Sequence, residues 1–377
     1  MYCDYNEIPH EGIRSLTPYA PGKSAEALAL ERDIKTIVKL GSNENPLGCS
    51  SLVTDLLAKL STHKIATYPI ASLHPLKQKL ANKLAIDNTM LTLSNGSDSL
   101  FGLLLTCFGL HNKKHIITHD YAFSSYAIQA KTLGIPVIST GLKSNWDVDI
   151  TAMINACNQD TALIFISNPN NPTGLAIHPD EIKRLLENIP ASTLLVLDEA
   201  YYEYIDTLYQ SYAIDLLKTH QNLIITRTFS KAYGLASLRL GYAISNEIIT
   251  NLIHRIQLPF AVNIAALSAG FIALDDEDFI TKTVELNKSE YTIVRRGLEE
   301  LNLENLPSAC NFITFNCNQD AMPIYQALQD YGIIVRPLHP YALNNYIRVT
   351  IGTPTQNQYF LEKLGLVIKK HNTGVNT

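Results

Sequence analysis

The sequence predicts an α/β protein: a large domain with a mostly parallel sheet covered by helices, joined to a smaller α+β domain. Three observations carry this. Short apolar runs bounded by turn residues recur at 114–118, 135–139, 162–167, 194–197, 223–226 and 241–244, with amphipathic segments such as 180–188 between several of them. Polar segments follow three of these runs directly, and ligands of parallel sheets sit beyond the carboxyl ends of the strands. After Pro259 the alternation gives way to a different pattern of helices and strands.

Taken in chain order, residues 1–45 are punctuated by Pro9, Gly12, Pro18, Pro21 and Gly22 and are expected to be an irregular arm. Helical spacing covers 50–60 and returns at 73–84, after the break at Tyr68-Pro69. The strand-and-helix region follows. Beyond Pro259 the pattern predicts helices at 265–274 and 281–301, a strand at 311–316, a helix at 323–331 and strands at 333–336 and 346–351. The tail HNTGVNT is expected to fray. The expected division is therefore 1–45 as arm and part of the small domain, 46–260 as the large domain, and 261–377 as the small C-terminal domain.

Composition narrows the class. The 377 residues include 46% apolar and 17% charged types, which suits a globular enzyme and argues against disorder. A net charge of -5 gives no broad footprint for nucleic acid. The six cysteines, at 3, 49, 107, 157, 310 and 317, form no C-x-x-C pair and no zinc-finger spacing. No metal is expected, and scattered thiols suit a reducing compartment. The N-terminus lacks a basic region followed by an apolar run, and the apolar stretches break before the ~20 residues of a membrane span. A cytoplasmic address without a membrane partner is the expectation.

Four segments carry chemistry. In TRTFSKAYG (226–234) a strand ends in hydroxyls, a lysine and a glycine. A lone lysine is by default a solvated surface group. Lys231 has company, however: Thr228, Ser230 and Arg239 supply donors for a phosphate, and lysine is suited to condense with a carbonyl. In LLVLDEAY (194–201) a carboxylate closes an apolar strand, which costs free energy unless it is paired. Asp198 is either a cap for the next element or the partner of a pyridine nitrogen, which it would keep protonated as part of an electron sink. SNPNNPTG (167–174) alone is a turn, but its place after a strand favours a ligand contact from Asn171. SNGSDSL (94–100) opens an apolar helix, where an N-cap and a phosphate site are compatible.

In this order, SNPNNPTG, DEAY and TFSKAYGLASLRLGY resemble the class I/II family of fold-type I aminotransferases. PYAPGK (18–23), LGSNENPLG (40–48), the YP at Tyr68, IIVRPL and YIRVTIGT extend the resemblance over nearly the whole chain. The narrower likeness, carried chiefly by PYAPGK, is to members that exchange an amino group between L-histidinol phosphate and 2-oxoglutarate, giving imidazole-acetol phosphate and L-glutamate. The resemblance implies pyridoxal 5'-phosphate as cofactor and a homodimer. It implies Lys231 as the residue that carries the cofactor and moves protons. Asp198 would face the pyridinium nitrogen, with Asn171 and Tyr201 on the ring oxygen. Gly96, Ser97, Asp98, Thr228, Ser230 and Arg239 would surround the phosphate, joined by Tyr68 from the neighbouring subunit. Arg348 would take the substrate carboxylate, and Tyr19, Asn43 and Arg336 the rest of the substrate.

One segment departs from the family pattern. Where a Pro and a small residue commonly precede the ring-stacking aromatic, this chain has DYAFSSY (120–126). Phe123 aligns with the stacking position, with Tyr121 as the competitor. Three other functions remain to be weighed: an aromatic amino acid aminotransferase, a phosphothreonine decarboxylase, and a non-catalytic relative that kept the scaffold. The intact lysine, carboxylate and arginine set speaks against the last.

Overall fold

The computed structural model describes residues 3–18, 22–34, 36–111, 113–206, 209–210 and 212–372. The chain forms two compact units: Met1–Pro18, Cys49–Asn171 and Ala176–Glu277 make the larger, and Tyr19–Gly48, Pro172–Leu175 and Asp278–Thr377 the smaller. These divisions differ from the boundaries expected at 45/46 and 260/261. The first residues join the larger unit because the helix Glu11–Arg14 packs on the helix Ser125–Thr132, where the His10 imidazole Nε2 lies 3.0 Å from the Thr132 carbonyl. Residues 261–277 stay there too, since the helix Ile264–Ala273 buries Ala266, Leu267, Ala269 and Ala273 in its core. Pro172–Leu175 belongs to the smaller unit, where the Gly174 carbonyl accepts from Ala309 N at 2.8 Å.

The strands, in chain order, are β1 (Val38–Lys39), β2 (Leu91–Ser94), β3 (His115–His119), β4 (Val137–Thr140), β5 (Thr161–Ser167), β6 (Leu194–Asp198), β7 (Leu223–Thr228), β8 (Gly241–Ile244), β9 (Phe312–Asn316), β10 (Ile333–Ile334), β11 (Arg336–Leu338) and β12 (Leu343–Thr350). In the larger unit seven strands run in the order β2-β8-β7-β6-β5-β3-β4. β8 is antiparallel to both its neighbours and the other pairings are parallel. Every residue of β5, β6 and β7 is buried, as expected of parallel strands covered on both faces. Alternation along the strands sends Ile164, Ile166, Leu195 and Leu197 into a layer with Ile182, Leu185 and Leu186 of the helix Pro179–Asn188. Leu163, Phe165, Val196 and Ile224 face the other way, onto Leu100, Phe101, Leu104 and Tyr126. The expected helix over the apolar run after Ser99 is Asp98–Leu104, continued by a wider turn over Leu105–Gly109.

In the smaller unit β11, β12 and β9 form an antiparallel sheet, and β1 pairs in parallel with β10. Its core gathers Leu298, Ile313, Phe315, Ile324, Leu328, Ile347, Phe360 and Leu364. The arm is more regular than expected. Ala25–Arg32 is helical, with Ser24 accepting from Ala27 N at 3.0 Å as its N-cap. Among the elements not foreseen are β2 and the helices Ser125–Thr132, Glu247–Ile256 and Pro354–Asn372. The last of these takes in the start of the tail, whose residues 373–377 lie outside the described ones. Among the described residues no helix is long and apolar enough to cross a membrane, and no cluster of His, Cys, Asp and Glu is arranged to hold a metal.

Candidate active site

The site of the larger unit is built at the carboxyl ends of β5, β6 and β7. Their register brings Ser167, Asp198 and Thr226 side by side. Asp198 is buried, yet both carboxylate oxygens are satisfied: Thr226 Oγ1 donates to Oδ1 at 3.1 Å and Tyr126 Oη donates to Oδ2 at 2.7 Å. Burial pushes its pKa up to about 6 against the pull of these two donors. A carboxyl in this state gains from a cationic partner. Sequence reasoning assigned no role to Tyr126; its signals are the later tyrosine of the family pattern and a position three residues beyond Phe123, on the same face of a helix start.

Beyond β7 the chain turns through Ser230 and Lys231. Ser230 N donates to Thr228 Oγ1 at 3.1 Å, and Thr228 Oγ1 donates to Ser230 Oγ at 3.0 Å. Arg239 reaches the same hydroxyl, its Nη1 donating to Ser230 Oγ at 3.3 Å. Gly96 lies against this guanidinium: with φ +76°, a Cβ there would stand 2.5 Å from Arg239 Nη2. A Cβ on Gly241 would stand 2.3 Å from Ser97 N. Glycine at both positions thus lets the backbone at the start of the helix Asp98–Leu104 approach the β7–β8 turn. The result is a cradle of hydroxyls, a guanidinium and helix-start amides suited to a phosphate. Asp98 has its side chain engaged elsewhere. Its carboxylate accepts from Ser125 Oγ, and its backbone carbonyl accepts from Gln129 Nε2 at 3.0 Å. The side chain therefore ties two helix starts together, and its backbone is the part suited to an anion.

Lys231 Nζ lies 5.8 Å from the centroid of the Tyr201 ring, which is itself buried. In the asparagine-rich loop, Asn168 Nδ2 donates to Tyr212 Oη at 2.7 Å and Asn170 Nδ2 donates to the Tyr121 carbonyl at 3.0 Å. Those two shape the loop, and Asn171 follows them, buried at its end. Of the competing aromatics, Tyr121 adopts φ +57° and tilts onto Trp146 at 5.6 Å. Phe123 stands edge-on to Tyr126 at 5.7 Å, beside the group that holds Asp198. Tyr68 is 80% exposed and stacks on Phe260 at 4.5 Å. Within this unit Tyr68 is thus a surface group.

Behind the site, Glu199 and Arg227 form an ion pair with both side chains buried. Arg227 Nε donates to Glu199 Oε2 at 2.8 Å, and the Tyr202 ring lies 3.4 Å from the guanidinium carbon. Burial opposes the charge on Arg227, but Glu199, Tyr242 and Tyr202 together outweigh it and hold its pKa above the ordinary guanidinium value.

The remaining expected residues lie in the smaller unit. Arg336 and Arg348 are directly opposed in the β11–β12 ladder and so project from one face of the sheet. Arg348 Nη2 donates to the Gly41 carbonyl at 2.9 Å, and its guanidinium lies 5.2 Å from the Phe312 ring centroid. Asn43, at φ +54°, is held by Thr350: its N donates to Oγ1 at 2.9 Å, and Oγ1 donates to its Oδ1 at 3.1 Å. Tyr19 lies outside the described residues.

A buried carboxyl, a lysine beside a tyrosine ring, and an anion cradle at one end of the sheet together suit a phosphorylated pyridine aldehyde. Comparisons with known proteins point the same way. The profile of the family described as aminotransferase class I and II matches residues 35–364. A protein named histidinol-phosphate aminotransferase 2, from Legionella pneumophila subsp. pneumophila, is 56% identical over 364 residues, covering 97% of this chain and 99% of its own. The crystal structure of histidinol-phosphate aminotransferase from Sinorhizobium meliloti in complex with pyridoxal-5'-phosphate matches with a TM-score of 0.87 at 25% identity, covering 97% of this chain and 98% of its own. L-threonine-O-3-phosphate decarboxylase from Porphyromonas gingivalis shares the fold, with a TM-score of 0.77 at 23% identity, over 89% of this chain and all of its own.

Proposed function

The chain belongs to the aminotransferase class I and II family, and from that premise we propose that it transfers an amino group between L-histidinol phosphate and 2-oxoglutarate, giving imidazole-acetol phosphate and L-glutamate in histidine biosynthesis. It is an aminotransferase that uses pyridoxal 5'-phosphate, and this group supplies an aldehyde carbon and an electron-withdrawing ring.

The protein supplies position and charge. In this reading Gly96, Ser97, the Asp98 backbone, Thr228, Ser230 and Arg239 hold the cofactor phosphate, together with Tyr68 of a second subunit. Phe123 covers the ring face, Asn171 and Tyr201 bind the ring oxygen, and Asp198 keeps the ring nitrogen protonated. Lys231 would be the point of attachment, and its Nζ, freed once the substrate amine has taken its place, would carry the proton from the substrate Cα to the cofactor's aldehyde carbon. A placed base of this kind contributes ~100- to 10,000-fold.

The observation that supports an anionic substrate is the opposed pair Arg336 and Arg348. Two like charges directly across a ladder repel, and a doubly charged ligand relieves that repulsion. L-Glutamate brings two carboxylates. L-Histidinol phosphate has no carboxylate and brings a phosphate in their place, so one cationic face serves both half-reactions. The test is an amino-donor panel with 2-oxoglutarate as acceptor and glutamate formation as readout. L-Histidinol phosphate should exceed L-histidinol and L-phenylalanine by at least tenfold in kcat/KM. Preference for phenylalanine, or carbon dioxide release from O-phospho-L-threonine, overturns the substrate assignment.

A further inference from the structure

Tyr126 contributes two different things to the larger unit. Its ring is fully buried, stacked on Phe165 at 5.0 Å and met edge-on by Phe101 at 4.8 Å and Phe123 at 5.7 Å. Those contacts belong to the ring and would survive loss of the hydroxyl. The hydroxyl does something the packing does not require, donating at 2.7 Å to Asp198 Oδ2. With Thr226 on the other oxygen, the carboxylate plane of Asp198 is set from both sides.

The groups around Asp198 make these donors matter. Desolvation favours its neutral form, and the carboxylates of Asp98 and Glu199 push the same way. Tyr126 and Thr226 are the groups that oppose them. A neutral carboxylic acid at this position would leave a pyridine nitrogen without its counter-charge and weaken the ring as an electron sink.

We propose that Tyr126 is a positioning residue: acting through Asp198, its hydroxyl fixes the carboxylate plane and keeps it ionised, and so determines how firmly the cofactor's ring nitrogen holds its proton. The inference rests on the reading that pyridoxal 5'-phosphate binds with its nitrogen toward Asp198. The same ring that meets Phe123 thereby also serves the carboxylate, so the face and the edge of the cofactor are organised by one side chain.

The experiment uses Tyr126→Phe, which keeps the ring contacts, and Thr226→Val, which removes the other donor. In the cofactor-free protein, the Asp198 carboxyl is titrated by carbon-13 NMR after labelling of aspartate. In the holoenzyme, the protonation of nitrogen-15-labelled pyridoxal 5'-phosphate is followed against pH. The expected result for Tyr126→Phe is an Asp198 midpoint moved up by about one pH unit, the size of one hydrogen bond to a charged group. The ring nitrogen should lose its proton at correspondingly lower pH, and Thr226→Val should shift both in the same directions. Wild-type protein that fails to take up pyridoxal 5'-phosphate would defeat the binding reading, while the cofactor-free titration still judges Tyr126. An unchanged Asp198 midpoint in Tyr126→Phe, or an unchanged ring-nitrogen titration in a variant that binds the cofactor, overturns the inference and leaves the hydroxyl a structural role. Should Tyr126→Phe not fold, Thr226→Val decides by the same two readouts.

Discussion

At residue 198 a carboxyl stands in apolar surroundings with two hydroxyl donors, and its chemistry has a measurable consequence for stability. Its pKa is raised from 3.8 to about 6, so between those values the native protein keeps a proton that the unfolded chain has released. Cofactor-free protein therefore loses stability as pH rises through this window, by about 3 kcal/mol. His119, buried at the end of β3, has the opposite sign. Burial lowers its pKa from 6.5 to about 4, so stability is lost as pH falls between them. Urea unfolding of the cofactor-free protein should show Asp198→Asn gaining on wild type as pH rises, and His119→Asn gaining on wild type as pH falls. Parallel pH profiles for all three proteins would refute both assignments. Gly96→Ala places a methyl group against the Arg239 guanidinium at a positive φ, and should weaken pyridoxal 5'-phosphate binding by about tenfold in a fluorescence titration that follows the single Trp146. At this scale the places of Lys231, Asp198 and Asn171 just beyond β7, β6 and β5 were legible, because each follows closely on an apolar run bounded by turn residues. Tyr126 was not, since a tyrosine on a buried helix face looks the same in sequence whether or not its hydroxyl meets a carboxylate.

Strands β6 and β7 carry Asp198, Thr226 and Thr228, and the pair Glu199–Arg227 joins them just beyond and within their ends. Removing one partner strands a buried charge, whereas removing both leaves an apolar gap. Glu199→Gln should cost about 3–5 kcal/mol in urea unfolding, and the double change Glu199→Leu with Arg227→Met distinctly less. Equal losses would show that the pair holds more than itself. The six apolar runs of the α/β region all became strands, with ends shifted by at most two residues; the central ones are covered on both faces, whereas β4 at the edge of the sheet is partly exposed. β2 escaped notice because it has four residues and runs straight into the SNGSDS loop. Glu11–Arg14 escaped because it lies among Pro9, Gly12 and Pro18, and Ala25–Arg32 because its apolar anchor is the single buried residue Leu28.

On the scale of the whole molecule, the division into two units follows packing rather than texture. The composition changes at Pro259, yet the helix that follows buries its small residues in the larger unit's core. The larger unit also exposes Tyr68, Leu73 and Leu258, each by more than three quarters of its surface, and the second copy we propose would find apolar contacts there. If Tyr68 serves the neighbouring subunit, a hybrid dimer of Lys231→Ala and Tyr68→Ala chains restores one complete site. That hybrid should recover about half the wild-type activity per dimer; recovery no greater than the Tyr68→Ala homodimer alone would place Tyr68 in its own site or in none.

The claim on which everything else depends is that Lys231 carries the cofactor beside Asp198. The most direct test is to load the purified protein with pyridoxal 5'-phosphate, reduce it with borohydride, and map the labelled peptide by mass spectrometry. The account predicts a single pyridoxyl label on Lys231, prevented when L-histidinol phosphate is added before the reductant. A label on any other lysine, or a Lys231→Ala protein that is labelled as fully as wild type, would contradict it.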